Sequence, residues 1–211
     1  MTEQPTVVVR GEAVREVPPE IASCWITVAV RDRDKQQVLA LLTERAAVLR
    51  TVLDGYGDAI ERRETGLVQV FPEVPRERRT VAYVGRIATA VTMSDFAVLG
   101  ELMLRFAGME QIEVTGPWWQ LRPGSTAGAE ARRAAIADAL TRAREYAAAV
   151  GARVDRLIEI SDEVAGGHPM AFRAAGGLAE ASGGLTLDPQ QQTVHASVVV
   201  RVAITEPDLS S

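Results

Sequence analysis

The run from Glu130 to Glu163, EARRAAIADALTRAREYAAAVGARVDRLIEISDE, constrains the fold more than any other part of this 211-residue chain. It reads as an alanine-rich amphipathic helix, a glycine stop and a short strand. Ile136, Leu140, Ala143, Ala147 and Val150 recur at helical spacing, Gly151 stops the helix, and Val154 to Ser161 then reads as a strand. The segment points to a mixed α and β architecture. It contains no catalytic constellation.

The rest of the chain follows the same grammar. Thr6 to Val17 is strand-like, and Ile21 to Arg31 is the clearest strand. Ala22, Cys24, Ile26, Val28 and Val30 fall on one face, and Ser23, Trp25, Thr27 and Arg31 on the other. Pro18-Pro19 between the two strands predicts a β-hairpin. Asp34 caps a helix whose apolar stripe is Val38, Leu41, Leu42, Val48, Leu49 and Val52. Glu64 to Phe71 and Thr80 to Met93 are strands joined by the proline-broken, charged linker PEVPRERR, which suits a hairpin loop. The second of these is apolar or small on both faces and is expected to be central in its sheet. Ser94-Asp95 opens a second helix that buries Phe96, Leu99, Leu102, Met103 and Phe106 before Gly108. Ile112 to Leu121 and Thr193 to Thr205 complete the strands, and Thr126 to Val150 is the third helix. The order ββαββαβαββ predicts an α+β fold, a largely antiparallel sheet with helices packed on one face. It is read as one domain over 1–211, with two subdomains at about 1–107 and 108–211 as the alternative division. The Gly- and Ala-rich stretch 162–192 is expected to be a flexible loop.

The Glu130–Glu163 segment resembles the C-terminal signature of the SIMPL-domain family. The resemblance rests on Ala135, Ala139, Ala143 and Ala147, then Gly151, then Val154, Leu157, Ile158 and Ile160, then Glu163. The N-terminal half is similar too, in Val9-Arg10-Gly11-Glu12-Ala13, the Pro18-Pro19-Glu20 turn and the alternating strand after it. So is the middle, in Tyr83, Ala88, Val91 and the Ser94-Asp95 helix entry. Asp155 departs from the pattern, standing near the place of a second glycine. The resemblance implies an α+β fold, homo-oligomers of ring- or channel-like form in some members, and an association with stress tolerance. It implies no catalytic residues and no cofactor.

Composition narrows the function classes. A net charge of −5 and a pI of about 5.2 argue against nucleic acid as a partner, because phosphate-backbone binding needs a basic face. No apolar run approaches the roughly 20 residues of a membrane helix, so no membrane insertion is expected. MTEQPTVVVRGEAV shows no basic region followed by an apolar one, so a cytoplasmic location is expected. His195 alternates onto the face opposite Val194, Ala196 and Val198, with no second ligand at metal spacing. His168 sits among glycines, and Cys24 has no neighbouring cation to activate it. The paired glycines at 166–167, 176–177 and 183–184 lack the lysine of a phosphate cradle. Trp118-Trp119 lies on a strand, where neighbouring side chains point to opposite faces, so one indole can be core and the other an interface or ligand contact. The chain is therefore read as a non-enzymatic, self-associating scaffold that uses Trp118, Trp119 and His195 as candidate contacts. The alternative is a small-molecule binding module, with 162–192 as a lid over a pocket rimmed by Trp118 or Trp119.

Overall fold

A computed structural model describes residues 4–73, 82–162 and 185–208. In chain order the elements are β1 (Thr6–Val17), β2 (Ile21–Asp32), α1 (Lys35–Asp54), a short 3-10 turn (Gly57–Ala59), β3 (Arg62–Glu73), β4 (Ala82–Met93), α2 (Phe96–Ala107), β5 (Ile112–Gln120), α3 (Ala127–Ala149), β6 (Val154–Asp162) and β7 (Gln192–Ile204). The α+β class and the element order are those expected. The strands form two antiparallel sheets, one ordered β3-β4-β2-β5 and the other β1-β7-β6.

The chain divides into two compact units. One holds residues 18–122 and 185–190, and the other holds the described residues on either side of them, 4–17, 123–162 and 191–208. Neither unit is one continuous stretch of chain. The predicted β1–β2 hairpin is also corrected. β1 pairs along its whole length with β7, from Thr6↔Ala203 to Val17↔Gln192, while β2 pairs with β4 and β5. Pro18-Pro19 marks a change of sheet rather than a turn within one. The 163–184 part of the expected flexible loop, His168 and the glycine pairs lie outside the described residues. Residues 185–190 are no free loop, because Leu185 and Leu187 pack against the core of the four-stranded unit.

In the four-stranded unit, β2 buries every second residue, Ala22, Cys24, Ile26, Val28 and Val30. Val38, Leu42, Leu49 and Leu53 of α1 and Leu99, Leu102, Met103 and Phe106 of α2 close over that same face. Val48, expected in the α1 stripe, lies toward its edge and is partly exposed. Both helices begin as their sequences demand. Asp34 accepts from the Gln36 N–H at 2.8 Å, and Asp95 accepts from Ala97 and Val98 at 3.0 and 3.1 Å. β4 is central, as its two apolar faces predict, and β3 and β5 are the edges.

In the three-stranded unit, α3 lies over β1 and β7. Its buried stripe is Ala127, Ala131, Ala135, Ala139, Ala143 and Ala147, of which Ala135, Ala139, Ala143 and Ala147 pack with Val9, Val198, Val200 and Val202. Ile136, Leu140 and Val150, expected to lead the stripe, are only its half-buried flank. The reason is distance. A Cβ added to Gly11 of β1 would strike the Ala135 carbonyl oxygen and stand 2.6 Å from the Ala139 Cβ. A helix that close to a sheet has room for methyl groups and little more. Gly151 ends α3 with φ 67°, a conformation that suits glycine.

Candidate functional site

The paired tryptophans separate as strand alternation requires. Trp119 is buried among the helices, its ring edge-on to Phe96 with centroids 4.8 Å apart. It is a core residue and is removed from the surface candidates. Trp118 points to the opposite face of β5, half-buried, beside Ser23 of β2. Of the two indoles, only that of Trp118 is left to rim a pocket at the surface. His195 is exposed on β7, on the face away from α3 and opposite Val14 of β1, itself 61% exposed. Trp118 and His195 belong to different units.

No metal centre is assembled among the described residues, where no group of three His, Cys, Asp or Glu side chains converges. Cys24 is fully buried, and desolvation pushes its thiol up to about 12, so it is protonated at neutral pH and is not a nucleophile. Glu61 and Glu64 do not act as a carboxylate pair. Glu64 pairs with Arg62 at 3.3 Å, and Glu61 is held by Arg122.

The Arg122–Glu61 contact is a bidentate ion pair with two bonds of 2.6 Å, and the Arg122 backbone N–H donates to Glu20 at 2.9 Å. Hydrogen bonds from Arg122 and then Ser94 hold the Glu61 carboxyl down at about 2. The tie joins the end of β5 to the entrance of β3. Sequence reasoning missed it, because residues 61 positions apart carry no local signal of pairing.

Three edge strands present apolar side chains to solvent; on β1 these are Val8 and Val14, exposed by 54% and 61%. On β3 these are Leu67, Val68 and Phe71, exposed by 50%, 58% and 41%. On β6 they are Leu157, Ile158 and Ile160, exposed by 48%, 45% and 45%. Register shifts occur between Thr65 and Val68 in β3 and at two places in β6. Among the described residues, no helix is long and apolar enough to cross a membrane.

Two antiparallel sheets, each with helices on one face and apolar edge strands, define an α+β protein with no convergent catalytic groups among its described residues. The family model of SIMPL, described as a protein of unknown function (DUF541), matches residues 7–202. The chain belongs to the SIMPL family. No curated protein matches it.

Proposed function

We propose that this SIMPL protein is a non-enzymatic scaffold that works by associating with copies of itself. The observation that carries the reading is the exposure of Leu157, Ile158 and Ile160 along edge strand β6. An edge strand offers unpaired backbone groups, and burying apolar surface on it is favourable by about 25 cal/mol per Å². Leu67, Val68 and Phe71 on edge strand β3 offer a second such surface, and two different surfaces per subunit allow rings or chains rather than a single pair. The register shifts in both strands work against extension of a straight ladder, so side-chain packing is the favoured mode of contact. Trp118 and His195 are candidate contacts on exposed sheet faces.

The non-enzymatic part of the reading is supported by the causes of the shifted groups. Cys24 is shifted by burial in the core, and Glu61 by an arginine pair at the end of a sheet. Multi-angle light scattering across a wide range of concentrations tests the proposal. An assembly larger than a monomer is expected, and a strict monomer throughout overturns it.

A further inference from the structure

The helical side of the four-stranded unit contains a cleft of ≈ 260 Å³ between α1 and the β3–β4 edge. Leu49 and Leu53 of α1 and Ile87 of β4 give it an apolar floor. Thr65 and Thr89 stand on that floor as a cross-strand pair. Thr89 is 7% exposed and is the only buried polar residue among those described. Neither threonine hydroxyl has a protein hydrogen-bond partner among the described residues. Both side chains line the cleft, where a bound acceptor can take a hydrogen bond from a threonine hydroxyl. The β3 register shift begins immediately after Thr65, and bulges recur beside sites because they re-aim side chains.

The rim is cationic. Arg63 lines it with its Nη1 on Asp54 Oδ1 at 2.7 Å, which leaves other guanidinium donors free. Arg50 lines it from α1 and makes no ion pair or hydrogen bond among the described residues. Two arginines and one aspartate leave one net positive charge. The cleft falls just below the ~300–1,000 Å³ of pockets that enclose drug-sized ligands, so its occupant is smaller.

We propose that this cleft binds a small carboxylate with a compact apolar body. The carboxylate pairs with Arg50 and takes the Thr65 and Thr89 hydroxyls as donors, while the apolar body lies on Leu49, Leu53 and Ile87. Asp54 disfavours a dianion such as phosphate. Both its charges would lie close to that carboxylate, and it offers nothing to the apolar floor.

The probe is benzoate, titrated into full-length protein labelled at its methyl groups and followed by NMR. Benzyl alcohol supplies the same body without the charge, and inorganic phosphate supplies charge without the body. Benzoate is expected to shift the Ile87, Leu49, Thr65 and Thr89 methyl signals saturably, with both controls at least about tenfold weaker. Arg50→Ala should weaken benzoate by about tenfold or more, and Arg50→Lys by less. Arg50 is exposed on a helix and alanine is a stronger helix former, so the variant keeps its fold, which far-ultraviolet circular dichroism checks. Thr89→Val, which keeps the shape and removes the hydroxyl, should also weaken binding. The proposal is overturned if benzoate leaves those methyls unmoved, if either control binds as well as benzoate, or if Arg50→Ala binds benzoate unchanged.

Discussion

Gly11 sets how closely α3 can lie on β1, because any side chain there meets the backbone of α3 at Ala135 and the methyl of Ala139. Gly11→Ala should therefore destabilise the three-stranded unit by about 1–3 kcal/mol or more, the usual cost of forcing an extra carbon into a packed core. A lower urea midpoint with an unchanged slope would show it, and wild-type stability would refute the close-packing account. Cys24 gives a second residue-scale prediction. With its thiol pushed up to about 12 and no surface exposed, it should resist iodoacetamide at neutral pH and react fully once urea unfolds the protein. Rapid labelling of the native protein would contradict its place in the core. The alternation of strand side chains already said that Trp118 and Trp119 face opposite ways. It did not say which way is inward, because that depends on where α2 places Phe96. The threonine pair of the cleft was invisible for a similar reason. Thr65 and Thr89 are unremarkable in sequence and meet only through strand pairing.

Helix ends were legible because capping is local chemistry. Asp34 and Asp95 were expected to start α1 and α2, and each accepts from backbone N–H groups of the first turn. Asp95→Ala should cost about 1 kcal/mol, read as a lowered thermal midpoint, and Asp95→Ser should restore most of it. Strand partners were not legible, because a short proline-containing link between two strands is the usual sign of a hairpin, whereas β1 finds its partner in β7 at the other end of the chain. The buried face of α3 was misjudged because a periodicity argument weighs large side chains most. The helix instead presents alanines inward to approach Gly11. The tie between the entrance of β3 and the end of β5 leads to a pH prediction. Arg122 and Ser94 lower the Glu61 carboxyl from its ordinary 4.5 to about 2. A depressed carboxyl stabilises the fold at pH values above its unfolded value and loses that contribution as pH falls through the folded one. Acidification from 4.5 toward 2 should therefore lower the wild-type urea midpoint more steeply than that of Glu61→Gln, the two converging near the bottom of that range. Parallel curves would mean that the pair contributes nothing. Both side chains are partly open to water, so high salt should shrink the difference.

At the scale of the molecule, the sequence order fixed the class but not the partition into two units. The chain leaves the three-stranded unit after Val17 and re-enters it at Pro123, a path that only long-range pairing reveals. The two sheets leave apolar edges in different units, on β3 and on β6, and this bears on assembly. If the β6 side chains are the contact, charges placed among them should dissociate the complex without unfolding the subunit. Ile158 and Ile160 are each 45% exposed, so replacing them costs little core packing. Ile158→Lys with Ile160→Lys adds two like charges per copy, which become costly when desolvated against an apolar partner. The double variant should run as a smaller species by light scattering, with the circular dichroism of the wild type. A matching pair on β3, Leu67→Lys with Val68→Lys, separates two architectures. If both edges are used, each double variant stops assembly at a small closed species that the intact edge still permits. If only β6 is used, the β3 variant assembles as the wild type does. Undiminished assembly in both double variants would place the interface elsewhere and remove the observation on which the scaffold reading rests.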